Sequence, residues 1–249
     1  MRAIAQWYLY GGGPRRRLDW NGHVGSACLY SQPAVDSLCE MIEELLSELE
    51  TLNKAHLDEA TAVMKAGGGA LFPFDFLTLG VLNRSMSLTS GFVMLLRANN
   101  YVAATTLVRP QLDTFLRYAA GWLVADPHAF ATETLRGTPV RKQKTLDGIA
   151  MTDRFLVDHF SQEYPWMGRV YSATSGFTHL SERHFFMNVT EVDSAKRPVA
   201  FSVTDKHDHI PQEILAEAIT GFTEITKLVL HRVYSWGFTK DNPPVRPKE

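Results

Sequence analysis

Hydrophobic positions along this chain recur mostly at spacings of three and four, the period of a helix buried on one side. Val35, Leu38, Ile42, Leu45, Leu49 and Leu52 form the longest such stripe, with Glu43, Glu44, Glu48 and Glu50 lying off it. That is nearly three heptads. It predicts a helix that opens with Ser31 as N-cap and Pro33 in the first turn, runs to about Lys65, and stops at Gly67-Gly68-Gly69. Such a helix spans about 50 Å at 1.5 Å per residue. It therefore needs a partner along its length, within a bundle or in a second subunit.

The same reasoning predicts a second helix over about 75–99, with Phe76, Leu79, Leu82, Met86, Val93 and Leu96 turned inward and Asn99-Asn100 as its C-cap. A third is expected over 101–125, ending at Asp126-Pro127. Pro110 removes one of its backbone donors and should kink it near Leu107. A short helix over 127–136 follows, then the basic loop Arg141-Lys142-Gln143-Lys144, then helices over about 145–162 and from Pro165 to about Arg183. The pattern then changes. Segments 185–192 and 198–203 are short and rich in Phe and Val, and they flank Asp193-Ser194-Ala195-Lys196-Arg197 as a β-hairpin would. The last helix, 211–236, carries Ile214, Ala218, Phe222, Ile225, Val229 and Val233 on one stripe. The expected fold is mainly all-α: a helical bundle with a small β-hairpin before the C-terminal helix. One domain covers 31–237, between a mobile arm (1–30) and a flexible tail (238–249).

Composition narrows the picture without naming a function. Hydrophobic residues make up 45% and charged residues 21% of 249, which fits a chain that buries a real core. A formal charge of −2 gives no global attraction to nucleic acid, and Arg15-Arg16-Arg17 reads better as a solvated charge run than as a phosphate contact. Two cysteines, Cys28 and Cys39, make neither a disulfide framework nor a zinc site, so a reducing compartment is expected. The first ten residues are too short for a secretory core and are broken by Gly11-Gly12-Gly13-Pro14, and no run of 18 apolar residues occurs. These features point to a cytoplasmic protein without a membrane span.

The candidate chemistry lies on two predicted helices. Tyr171, Ser175 and His179 are spaced by four, so a phenol, a hydroxyl and an imidazole share one helical face, with Glu182 three residues further on. An imidazole near neutral pKa moves protons, and a neighbouring hydroxyl can orient it or be activated by it. The alternative is a buried hydrogen-bond ladder that fixes helix register. On the earlier helix, Arg109 and Asp113 are four apart, after the small residues Ala103, Ala104, Thr105 and Thr106. A guanidinium drawn inward there needs its carboxylate, or it can bind a phosphate or a developing negative charge. Against this stands an ordinary surface ion pair.

Two further clusters carry less. Arg154 and His159 match Arg-x4-His, a spacing too common to weigh. Asp205, His207, Asp208 and His209 precede the last helix and read better as electrostatic capping of its N-terminus than as metal ligands. Gly67-Gly68-Gly69 lacks the Lys-Ser/Thr of a phosphate loop, and Gly-x-Ser-x-Gly, Cys-x-x-Cys and paired Glu-x-x-His motifs are missing. No cofactor and no metal are expected.

The stretch Leu96-Arg97-Ala98-Asn99-Asn100-Tyr101-Val102-Ala103-Ala104, followed by Leu107-Val108-Arg109 and Asp113, and then Tyr171, Ser175 and His179, resembles a bacterial all-helical family akin to the HEPN superfamily. The resemblance covers about residues 75–185. It implies a helical bundle, commonly dimeric, among whose relatives are metal-independent ribonucleases, toxins and antiviral effectors. It further implies RNA as substrate, with His179 as general acid/base, Arg109 stabilising the charged phosphorane, Tyr171 and Ser175 positioning the substrate, and Asp113 completing the site. The competing expectation is a non-catalytic helical module of a defence or toxin system, a partner or adaptor that binds protein or nucleotide.

Overall fold

A computed structural model describes residues 32–178, 189–192, 199–201, 203–208 and 210–243. The segments expected to form an arm (1–30), the turn of the hairpin (193–197), both cysteine side chains, Ser31, His179 and Glu182 lie outside the described residues.

Helix α1 (Gln32–Lys65) starts and ends where its apolar stripe predicts. Leu46, Leu49 and Val63 are buried, and Ile42, Leu45 and Leu52 pack against the core; the side chains of Val35 and Leu38 are outside the described set. Three glycines with positive φ turn the chain after Ala66, and helix α2 (Pro73–Arg97) returns along α1. The pairings Glu50 with Arg97 and His56 with Ser85 fix these two as antiparallel. Asn99 takes φ 57° to end α2, and Asn100 caps the next helix by accepting from the Ala103 amide.

The kink expected at Pro110 is a full break. α3 (Tyr101–Thr106) and α4 (Val108–Ala119) meet at Leu107, because Pro110 has no N–H to give to the Thr106 carbonyl. A 3-10 turn, Ala120–Trp122, ends the segment short of Ala125. α5 (Pro127–Leu135) is capped by the Asp126 side chain.

The helix expected over 145–162 is halved. Residues 144–150 form a tight reversal, with Lys144 bridged to Ala150, the Gly148 amide donating to the Thr145 carbonyl, and Gly148 at φ 79°. Asp147-Gly148 is a turn signal that outweighs the weak periodicity around it. Only α6 (Asp153–Phe160) is helical there, capped by Thr152. α7 (Met167–Thr178) follows. Strands β1 (Val189–Val192) and β2 (Val199–Phe201) pair antiparallel, Val189 opposite Phe201 and Val192 opposite Val199.

The last helix, α8 (Gln212–Asp241), outruns its expected end at Trp236 and takes in residues assigned to a tail. Lys240 is buried and explains the extension. Its ammonium donates to Asp75 Oδ2 at 3.1 Å and to the Val63 carbonyl at 2.8 Å, while Trp236 Nε1 donates to Asp75 Oδ1 at 2.7 Å. Contacts from Glu48 to Lys227 and from Val63 to Lys240 make α1 and α8 parallel, with α2 antiparallel to both. α4 lies against α2 and α8. Phe74, Tyr118, Trp122 and Trp236 form an aromatic cluster at one end of this core, and Phe92 stacks on Phe222 at 4.2 Å further along.

The expected inward face of α2 is met in part: Leu82, Val93 and Leu96 are buried, whereas Phe76 is 53% exposed. The buried residues also include Phe74, Asp75, Thr78, Ser85, Thr89 and Phe92, and four of these nine are polar, so a hydrophobicity count misses part of the face. By length and composition alone α2, at mean hydropathy 1.2, is long and apolar enough to cross a membrane. In this fold it packs on α1, α4 and α5 and carries the Asp75–Lys240 ion pair near its first turn.

Candidate functional site

Arg109, Tyr171 and Ser175 come together, as the sequence suggests. Arg109 lies in the first turn of α4, which the break at Leu107 swings against α7. On α7, Tyr171 and Ser175 are one turn apart and face it. The guanidinium stacks on the Tyr171 ring, 3.4 Å from Cζ to the ring centroid. Its Nη1 donates to Ser175 Oγ at 3.0 Å and to the Tyr171 carbonyl at 3.2 Å. Ser175 Oγ in turn donates to that same carbonyl at 3.0 Å. The hydroxyl thus spends its proton on the backbone and its lone pair on Arg109. It orients the cation and has no proton left for a base. All three residues are half-buried, where a cation–π contact on a partly desolvated ring is worth about 1–2 kcal/mol.

Asp113 departs from the expected set. It does not pair with Arg109; its two oxygens take Arg117 Nε at 2.7 Å each, and Arg117 Nη2 reaches Asp153 Oδ1 at 3.1 Å. The reason is geometric. Arg109 is pulled towards α7 by the aromatic ring and two oxygens, while Arg117, one turn past Asp113 on the same face of α4, sits between two carboxylates. Burial weighs most on the Arg117 charge and opposes it. The bonds to Asp113, then the nearby Asp113, Asp153 and Tyr171, more than compensate and raise its pKa. Arg109 therefore keeps a guanidinium with no carboxylate partner among the described residues.

Among the described residues neither of the minor clusters forms a site. Arg154 donates to Asp158 at 2.7 Å on an exposed face, while His159 rests edge-on against Phe160. Asp208 does not cap α8, whose N-cap Pro211 has no side-chain bond. It accepts from Asn99 Nδ2 at 2.6 Å, and with the His207 amide on the Asn99 carbonyl it docks the loop before α8 onto the end of α2. His209 lies outside the described residues. Among the described residues no group of three or more His, Cys, Asp or Glu side chains is placed to hold a metal ion.

One buried polar network was not anticipated. His56, Ser85, Gln111 and Thr226 are at most 1% exposed and join α1, α2, α4 and α8. His56 Nδ1 faces the Leu52 carbonyl at 2.9 Å and so carries the ring proton. Ser85 Oγ donates to Nε2 at 2.8 Å, and Gln111 Nε2 donates to Ser85 Oγ at 2.7 Å and to Thr226 Oγ1 at 3.0 Å. Burial lowers the His56 pKa, outweighing the carbonyls of Leu52 and Asn53 that raise it. Closed off from solvent and directional from end to end, this ladder fixes helix register. Spacing could not reveal it, because its members come from four different helices.

Comparison of the chain with protein-family models, with curated proteins and with solved structures found no match.

Proposed function

We propose that this chain is a HEPN-like helical protein that cleaves RNA without a metal ion, with Arg109 as its phosphate-binding group. One observation carries the reading: a half-buried guanidinium, unpaired with any carboxylate among the described residues, held in a fixed pose by the Tyr171 ring and Ser175 Oγ. A cation so held meets a phosphate with little further ordering, and its stacked plane leaves the Nε and Nη2 edges for bidentate contact. The reaction needs a proton carrier beside it. His179, four residues after Ser175 in the sequence and outside the described residues, takes that role in this proposal. It would accept the proton of the 2′-hydroxyl as that oxygen attacks phosphorus. The P–O5′ bond breaks, the departing oxygen is protonated, and a 2′,3′-cyclic phosphate remains. Arg109 would stabilise the extra charge on the phosphorane. Tyr171 and Ser175 are positioning residues for Arg109, and Asp113 drops out of the reacting set.

The same reading takes residues 185–203 as a hairpin flanking the bundle, supported by the β1–β2 register. It also places the protein in the cytoplasm as a homodimer; Met94, 68% exposed on α2, is the kind of side chain a second subunit would cover. The test is cleavage of a labelled single-stranded RNA by the purified chain. His179→Ala and Arg109→Ala should each slow cleavage by about 10²–10⁴-fold. Parent-like rates in both variants would reject the assignment.

A second reading has its own support. The loop of bonds Arg109–Ser175–Tyr171 carbonyl is closed within the protein, as a purely structural ladder between α4 and α7 would be. In that case the chain is a non-catalytic binding module, and Arg109→Ala lowers the melting temperature without removing any cleavage. Lost cleavage at an unchanged melting temperature favours the site.

A further inference from the structure

A second, separate concavity opens between α2, α4 and the α5 region. It has a volume of about 300 Å³, and none of Arg109, Tyr171 or Ser175 lines it. Its walls are mostly apolar, with Leu77, Val81, Tyr118 and Val140 among them, and Phe76 and Leu135 stand exposed at 53% and 54%. Exposing two large apolar side chains around one hollow is unfavourable for a protein that leaves it empty. Two details show that the hollow is built rather than left over.

The first is Gly80. It lies in the middle of α2 with no positive φ, so the backbone conformation does not call for glycine. A mid-helix glycine costs about 1 kcal/mol relative to alanine. A Cβ at this position would meet nothing within 4 Å, because it would project into open space, and Gly80 lines the hollow. What the missing side chain secures is the empty volume.

The second is Arg84, one turn further along α2. Its Nε donates to Thr114 Oγ1 at 2.9 Å, and Thr114 Oγ1 donates to the Pro110 carbonyl at 2.8 Å, so the guanidinium is held from behind. Arg84 forms no ion pair among the described residues, which leaves both Nη groups for a ligand. Of the other charges that line the wall, Asp113 and Arg117 pair with each other. That leaves the positive charge of Arg84 in excess among the lining residues.

From the glycine-made space, the apolar walls and the anchored Arg84, we infer that this cleft binds an amphipathic organic anion: a compact apolar or aromatic body seated against Gly80, with one carboxylate-like head on Arg84. A cavity of about 150 Å³ accommodates benzene, so the volume here suits a body of about two rings. The inference is independent of the RNA-cleaving reading, because the cleft shares none of the residues to which that reading assigns a role.

The test uses the full chain and two probes of nearly the same shape, 2-naphthoate and the neutral 2-naphthol, titrated by calorimetry. The parent should bind 2-naphthoate saturably at one site per chain. Arg84→Ala should weaken 2-naphthoate about tenfold or more, the loss of one charge-assisted contact, and leave 2-naphthol nearly unchanged. Gly80→Leu, which fills open space and favours the helix, should abolish binding of both probes without lowering the melting temperature. The inference is overturned if the parent shows no saturable binding of 2-naphthoate, if Arg84→Ala binds it as tightly as the parent does, or if a folded Gly80→Leu does.

Discussion

Replacing Asp75 by alanine should damage this fold more than any change at the proposed phosphate site. The carboxylate is fully buried, and each oxygen is used: Oδ1 accepts from Trp236 Nε1 at 2.7 Å, and Oδ2 accepts from Lys240 Nζ at 3.1 Å and from the Phe72 amide at 2.7 Å. Its removal strands an ammonium that is 1% exposed, with the Val63 carbonyl as its remaining acceptor. Breaking a buried ion pair from one side costs about 3–5 kcal/mol. The orphaned indole and amide add to this, but not independently, because they share the same carboxylate. We therefore expect about 4 kcal/mol or more. For a chain of this size that is a fall in Tm of about 8–16 °C, at about 2–4 °C per kcal/mol. Urea unfolding followed by circular dichroism measures it, with the midpoint lowered and the slope unchanged. The pair Asp75→Leu with Lys240→Met should recover the part of the loss that the stranded ammonium causes, since an apolar substitute pays no desolvation, while the indole and the Phe72 amide stay without their acceptor. The reasoning fails if Asp75→Ala stays within about 1 kcal/mol of the parent, or if the double variant is no more stable than Asp75→Ala.

Acid should weaken the bundle through His56. Its folded pKa lies below the ordinary 6.5, so its contribution is complete above that pH and declines as pH falls towards the lowered value, by up to about 1.4 kcal/mol per unit; His56→Phe should flatten the pH dependence of the melting temperature in this window. Gly121→Ala should destabilise by about 1–3 kcal/mol in chemical denaturation, since the added methyl would lie 2.5 Å from Phe74 Cε2 in a packed aromatic cluster. Ser175→Ala should reduce RNA cleavage less than Arg109→Ala does, because the ring of Tyr171 still holds the guanidinium; equal losses would mean that Ser175 does more than position it.

The helices were legible where burial is apolar. The seam of α1 and the stripe of α8 are continuous runs of Leu, Ile, Val and Phe, and Pro110 and Asn99-Asn100 are local signals whose physics does not depend on the rest of the chain. Legibility failed where the core is polar. On α2 the buried Asp75, Thr78, Ser85 and Thr89 look like an outer face, and their partners Lys240, Tyr118 and Gln111 are distant in sequence. The same limit shaped the site. Spacing put Tyr171 with Ser175, and the family resemblance put Arg109 with them. The competition between Arg109 and Arg117 for Asp113, however, is settled by which helix each guanidinium faces, and no single-helix rule contains that. Gly80 carries no signal in the sequence, because a glycine within a helix reads as a defect until the space beside it is seen.

The most direct measurement combines cleavage with end-group chemistry. An RNA and the same strand carrying a 2′-deoxy sugar at the cut position are incubated with the purified chain in excess chelator, and the products are resolved by mass spectrometry. The account predicts that the RNA is cut to a 2′,3′-cyclic phosphate, that chelator makes no difference, and that the deoxy strand stays intact. An RNA left whole, or one cut only when divalent metal is restored, would contradict it.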